Sequence, residues 1–520
     1  MLHEPIKELL RGYFASRKES VPGEDMPKIH VDEIASQVAV FYEKVRNLVD
    51  YQEEHLFRKK FIDRVLQRRL FIHKDGNVAE PLIKEIIRSG HLSNDAVPEA
   101  KIQEVQRLID NLGCVLAHTE QEEIVEWLTK ITVNAIEESL FPPTKDKLIS
   151  DLMFVSLKDR LSMNGSRYPR EDIEAQLFIA IQKALLKVDK DQLHYRLFKF
   201  VYPDWHTMQE KDCPRVAGEL PGIKAHIEKL IAHPLAPAFF KLCNHYNTVF
   251  FIVGDIIEDA NSAGDAEKIL DGEEAREAEA RHHYRRRYRR QRSRLTRLAF
   301  FSVVSFFLSK IAVALAVEIP IETYLFGGFS LANTLVNIAF PPFLMLIIVL
   351  SIRMPSARNE ELVVNEMRNA LSEESQKKYA VKPPRRRMSL GESIARFSYF
   401  GIFFVVLYFL SKLLLALSFN IANIIIFVFF TSLVAAAGVK VNNRSKEISL
   451  EERKGSFLAF LLEVVSMPLV TIGKWILAGL AKVNILVIIF NVILELPFQL
   501  FIEFVENFRG FIKTKREEIT

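Results

Sequence analysis

The feature that most constrains this chain is a series of long apolar runs in its C-terminal half. A helix of about 20 apolar residues crosses a hydrocarbon core of about 30 Å. Six segments reach that length: 298–317, 329–352, 396–418, 420–440, 456–480 and 482–506. Backbone N–H and C=O groups find no water in lipid, so each segment is expected to be helical. The six group as three hairpins. Turns on one side are short, at 318–328, near 419 and near 481, and returns on the other side are longer, at 353–395 and 441–455. A mean hydropathy of +0.08 averages this half with a charged one and describes neither.

Positive charge orients the hairpins, because cytoplasmic flanks retain Lys and Arg. Residues 281–297 carry nine arginines, and the two long returns with the flanking Arg396 and Lys440 and the C-terminal tail raise the count on that side to twenty-eight basic residues. The opposite turns offer Lys482 alone, beside Glu318 and Glu322. Both termini are therefore expected on the cytoplasmic side of a plasma or inner membrane. The N-terminus, "MLHEPIKELLRGYF", has no apolar core of a secretory signal, so residues 1–290 are expected to stay where they were made.

The arginine run ends one residue before the first apolar segment. Arg285, Arg286, Arg287, Arg289, Arg290, Arg292, Arg294 and Arg297 read as a collar against anionic headgroups, worth about 1 kcal/mol per basic residue near the surface. The same charges would suit nucleic-acid phosphates, with Tyr284 and Tyr288 to stack on bases. The acidic stretch just upstream, "DAEKILDGEEAREAEA", would repel a polyanion and pair with the arginines at i,i+4 spacing, so the collar is preferred and nucleic acid is not expected as a partner.

The hairpins look like parallel repeats. "FLSKIAVAL" at 307–315 and "FLSKLLLAL" at 409–417 share six of nine residues, and "IGKWILAGL" at 472–480 is a looser echo. "SLGESIARFSYF" at 389–400 matches "SLEERKGSFLAF" at 449–460, and each opens with a Ser-x-x-Glu capping box. The repeats align Lys310, Lys412 and Lys474, each about 11–12 Å below its outer turn at 1.5 Å per residue. A lysine in the core costs roughly 2.5–3.5 kcal/mol. Either each snorkels to the headgroups, or the three converge to bind an anion or a lipid phosphate. Glu463 and Glu495 lie in segments interrupted by Pro468 and Pro497, and Asn333 and Asn337 lie one turn apart beside Pro341 and Pro342. Polar groups beside broken helices build many coupling sites. They serve equally as kinks and interhelical hydrogen bonds.

Residues 1–260 read as helical, with amphipathic stretches at 31–50, 100–112, 120–139, 171–187 and 222–260, separated by Pro- and Gly-containing breaks that include "ELPG" at 219–222. Cys114, Cys213 and Cys243 are odd in number and widely spaced, so they read as buried thiols in a reducing compartment. No nucleotide, metalloprotease or nucleophile motif occurs, "DKDQ" at 189–192 lacks the glycine of a calcium loop, and His226, His233 and His245 have no completing ligands. No catalytic residue, metal or cofactor is assigned, and an enzyme is not expected.

The reading is an all-α chain: an N-terminal cytoplasmic helical bundle, a six-span α-helical membrane domain of three hairpins, and a C-terminal amphipathic helix. Its parts are a helical domain at 1–263 with a sub-boundary near 141–170, a charged connecting helix at 264–297 and hairpin one at 298–352. A return at 353–395, hairpin two at 396–440, a return at 441–455, hairpin three at 456–497 and an interfacial helix with a basic tail at 498–520 follow. The last helix of the first domain is expected to run through the collar into the first span. Two functions fit. One is a channel- or transport-like module, or one binding an anion or lipid headgroup, regulated by the cytoplasmic domain. The other is a membrane-anchored scaffold recruiting a cytoplasmic protein through residues 1–260. Membrane lipids are expected partners, and a homo-oligomer fits either function.

Overall fold

The structure, a computed structural model, describes residues 2–19, 27–31, 54–72, 77–163, 168–203, 205, 210–325, 330–352, 354–381, 389–445, 447–451 and 457–482. The described chain is almost entirely helical and forms two compact units. One is built on Glu4–Asn244 with the segment Lys378–Lys382. The other is built on His245–Lys377 and Pro383–Val483, with the first three residues.

The first, or helical, unit comprises α1 (Glu4–Glu19), α2 (Glu54–Ile72), α3 (Ala79–Arg88), α4 (Ala100–Leu116), α5 (Glu122–Leu140), α6 (Thr144–Lys158), α7 (Arg170–Ala184), α8 (Lys190–Val201), α9 (Cys213–Ile231) and the start of α10 (Ala236–Asp259). Helix α5 is its centre, with Ile124, Trp127, Leu128, Ile131, Val133, Ala135 and Ile136 buried on several faces. Helices α2, α4 and α8 pack around it. Along α1, the i,i+4 stripe Ile6, Leu10 and Phe14 is buried and α6 is its neighbour. Asp189 of "DKDQ" is the N-cap of α8, accepting from the Gln192 N–H at 2.8 Å and pairing with Lys59. Between α6 and α7, β1 (Leu161–Ser162) pairs in parallel with β2 (Tyr379–Ala380).

Two expectations for this unit are corrected. Cys114 of α4 and Cys213 of α9 form a disulfide across 99 residues of sequence, so only Cys243 is a free, buried thiol. The pairing removes the cysteine argument for a reducing compartment. "ELPG" does not break a helix, because α9 continues through Pro221. The stretch at 31–50 lies outside the described residues, apart from Val31.

The second, or membrane, unit continues α10 into α11 (Ala263–Asp271) and α12 (Glu273–Val313). A π-helical turn (Ala314–Glu318) and α13 (Ile319–Leu325) follow without a break. Then come α14 (Leu331–Ser351), α15 (Ala357–Leu371), α16 (Ser389–Ala416), α17 (Ile421–Ser445) and α18 (Phe457–Lys482). The connecting helix does run through the collar into the first apolar segment, but it starts at Glu273 after Gly272. The turn expected at 318–328 is helical to Leu325, and the return after α14 carries α15.

Four helices among the described residues are long and apolar enough to cross a membrane: Glu273–Tyr324, Leu331–Ser351, Phe397–Ala416 and Ile421–Ser445. Six segments were expected. The fifth forms α18, a 26-residue helix with Pro468 inside it, and the sixth lies beyond residue 482, outside the described residues. So do Glu495, the C-terminal amphipathic helix, and the side chains of the capping-box residues Ser389, Glu392 and Glu452. Only 6 % of the apolar window of α16 is buried, with Phe397, Phe404 and Phe409 open to the outside. A helix apolar on its outward faces needs lipid or another apolar surface around it.

Helices α17 and α18 pack closely because Gly473 has no side chain. A Cβ there would lie 2.0 Å from the Ser432 carbonyl oxygen. Gly438 makes the same kind of approach to Ile348 of α14. Small residues at crossings are how helices associate in lipid, where burial of apolar area no longer drives them together.

Candidate functional site: a buried acid, amide and lysine cluster

Along the first span, Lys310 and Glu318 are eight residues apart. At about 100° per residue, an uninterrupted α-helix would set them about 80° apart. The π turn at Ala314–Glu318 winds about 4.4 residues per turn, which takes back roughly 90° over five residues and brings the two onto one face. Glu322 follows Glu318 by four residues and shares that face.

Partners from two other helices complete the cluster. Lys310 Nζ donates to Glu318 Oε1, and Asn337 Nδ2 of α14 donates to Glu318 Oε2 at 3.1 Å. Glu322 Oε1 accepts from Asn423 Nδ2 of α17, and its Oε2 accepts from the Ser330 N–H at 3.4 Å. The Lys310 ammonium also sits 4.8 Å from the ring centre of Phe430. All five polar side chains are enclosed: Lys310 is 0 % exposed, Glu318 1 %, Glu322 2 %, Asn337 0 % and Asn423 2 %.

The charges do not balance. Two carboxylates share one lysine, and among the described residues Glu322 has no basic partner. The amide oxygens Asn337 Oδ1 and Asn423 Oδ1 and the hydroxyls of Thr334, Thr431 and Ser432 are buried without a hydrogen-bond partner among the described residues. Pro341 adds a further acceptor. Having no N–H, it leaves the Asn337 carbonyl without its i+4 helical donor. Unpaired buried acceptors are costly, and more so in hydrocarbon.

The three aligned lysines have different surroundings. Lys310 is enclosed and ion-paired within the chain. Lys412 is exposed on α16, 5.8 Å from the Tyr408 ring, and Lys474 is exposed on α18 beside Trp475, itself 78 % exposed. Asn333 stands apart from the cluster. Its Nδ2 donates at 2.9 Å to the carbonyl of Ser418, which ends α16 in the left-handed region at φ 64°. Glu463 is exposed on α18.

The collar is partly neutralised by acids distant in sequence. Arg285 makes two hydrogen bonds to Glu360, at 3.1 and 2.9 Å. Arg286 pairs with Asp259 and Arg287 with Asp255. The expected i,i+4 pairing occurs at Arg281–Glu277. Tyr284 is buried, its hydroxyl accepting from Asn359 Nδ2 at 2.8 Å, so its ring is not open for stacking on a base. Arg289, Arg290, Arg292, Arg294 and Arg297 remain exposed and form no ion pair among the described residues. From Arg297 to Glu318 is 21 residues, about 31 Å of helix and close to the thickness of a hydrocarbon core. Of the three histidines singled out, His226 is exposed, His233 Nδ1 accepts from the Leu235 N–H at 3.2 Å, and His245 packs on Tyr246.

Glu318, Glu322 and Asn423 are the residues that sequence reasoning passed over. The two acids read as ordinary turn residues of a short connection. The available signal was their i,i+4 spacing in the connection before Asn337, with Lys310 two turns earlier. No protein-family model, no curated protein and no solved structure matches the chain.

Proposed function

We propose that this chain is a multi-pass membrane protein of the transport class, and that the Lys310, Glu318, Asn337, Glu322 and Asn423 cluster is its substrate or coupling-ion site. One observation carries the reading: a carboxylate that has no counter-ion among the described residues is enclosed among apolar helices, beside acceptors that no described residue satisfies. A passive anchor gains nothing from such groups, whereas intramembrane ionisable residues characteristically mark ion and substrate paths. In this reading Lys310 is an internal counter-ion to Glu318, and Lys412 and Lys474 meet lipid headgroups separately. Six crossings with both termini on the arginine-rich side complete the topology, and Arg289, Arg290, Arg292, Arg294 and Arg297 meet anionic lipid.

A second reading, a membrane-held scaffold, draws on the helical unit. That unit contains a cavity of about 910 Å³ lined by Lys101, Arg107, Lys147, Arg196 and Lys199 together with Glu104, Glu138 and Asp151, with Lys101 paired to Glu104 and Lys199 to Glu138. It would serve equally to regulate transport or to receive a polar partner.

The test is charge movement in proteoliposomes adsorbed on a solid-supported membrane. Sodium, potassium, proton and chloride gradients are imposed in turn. Transport predicts a transient current that Glu318→Gln abolishes. Absence of current for every ion, with correctly folded protein, favours the scaffold.

A further inference from the structure

We propose that the membrane unit holds a sodium site between the two carboxylate layers, with Glu322 as its charged ligand. The proposal rests on the transport reading only for its purpose; the site itself stands on geometry. The N-cap Ser330 is followed at four and seven residues by Thr334 and Asn337, both on one face of α14. The Ser330 N–H bonds Glu322 and the Asn337 amide bonds Glu318. Thr334 therefore lies at a height between the two acids, and its hydroxyl is buried without a partner.

The amides are fixed by what they bond. Asn423 Nδ2 must face Glu322, and Asn337 Nδ2 must face Glu318, because a carboxylate accepts and does not donate. Each amide oxygen is then turned from the atom that bonds its carboxylate and finds no donor among the described residues. With the Thr334 hydroxyl and the Asn337 carbonyl freed by Pro341, they add hard oxygen donors to the buried layer that holds Glu318 and Glu322. Sulfur and imidazole are absent from the residues named. Oxygen sets of this kind select hard cations. The charge sets the valence: Glu318 and Glu322 against Lys310 leave one negative charge, which one monovalent cation cancels. A water molecule would satisfy acceptors but would leave the charge.

The experiment is thermal unfolding of the purified full chain in detergent, titrated with sodium chloride against choline chloride at equal ionic strength and at two pH values. The expected result is a saturable rise of several degrees in Tm with sodium, at both pH values. Glu322→Gln abolishes it. Thr334→Val decides between ligand and bystander. The hydroxyl has no partner among the described residues, so its loss does not harm a merely structural site, whereas loss of a ligand raises the sodium midpoint at least tenfold. Equal response to sodium and choline, a response reproduced by acid alone, or an unchanged midpoint in Thr334→Val would each overturn the proposal. Sodium binding without ion flux would leave the site standing and remove the transport reading. Flux without sodium binding would do the reverse.

Discussion

Replacing Lys310 by methionine is the perturbation whose outcome the structure fixes most tightly. The substitution keeps the length of the side chain and removes its charge. It leaves Glu318, 1 % exposed, with only the Asn337 amide as partner. Breaking a buried ion pair from one side costs about 3–5 kcal/mol, because the remaining charge is stranded. The Asn337 amide softens the loss, which places the expectation near the lower end, about 3 kcal/mol. Glu318→Gln should cost a similar amount by stranding the ammonium over Phe430. The double variant Lys310→Met/Glu318→Gln strands neither charge and should recover most of the loss, giving a coupling energy of about 2 kcal/mol or more. Lys412→Met and Lys474→Met, at exposed positions, should change stability by no more than about 0.5 kcal/mol. The assay is reversible unfolding in mixed micelles, read by tryptophan fluorescence. If all three lysine variants behaved alike, or if the cycle showed no coupling, the assignment of Lys310 as an internal counter-ion would be wrong.

Other parts of the structure yield further expected outcomes. Gly473→Ala drives a methyl group into the Ser432 carbonyl, so α17 and α18 must separate; a loss of about 1–3 kcal/mol is expected, with Gly479→Ala, where a Cβ meets nothing, as the silent control. The Cys114–Cys213 bond closes 99 residues of sequence. Removing it with serines should lower the stability of the helical unit by about 2–5 kcal/mol. Non-reducing peptide mapping should recover the linked pair, and Cys243 should resist alkylation until unfolding, since burial pushes its thiol up. His194 accepts from Trp127 Nε1–H at 2.9 Å, and burial lowers its pKa below 6.5. The unfolded ring takes up a proton before the folded one, so this contribution is complete above pH 6.5 and is lost as pH falls through the lowered folded value. His194→Gln should flatten that part of the pH–stability curve, measured by urea titration.

What was legible in the sequence follows from the kind of information each feature needs. Apolar length along one helix is a local property, so α12, α14, α16 and α17 could be placed from composition alone, as could the run of α12 through the arginine collar. Pairing across helices is not local. Glu318 reads as a turn residue until Asn337, 19 residues on, is seen to bond it, and Glu322 until Asn423, 101 residues on, does the same. The π turn that brings Lys310 round to Glu318 leaves no periodic mark in five apolar and acidic residues. The alignment of Lys310 with Lys412 and Lys474 carried no information on burial. Acids remote in the chain, Asp255, Asp259 and Glu360, neutralise Arg285–Arg287, and no i,i+4 rule could name them. The disulfide was hidden for the same reason: α4 and α9 meet only in the folded unit.

The central claim is that the buried cluster is a site reached from water and not a sealed structural pin. Thr334→Cys in a background with the native cysteines replaced by serine tests it directly. The variant is reconstituted in vesicles of known orientation and treated with a membrane-impermeant thiol reagent from either side. Tyr324→Cys, at a position 87 % exposed, serves as the reactive control. The account predicts modification of residue 334 from at least one side, slowed by sodium. A thiol at 334 that stays unmodified from both sides, in folded protein whose control reacts, would contradict it.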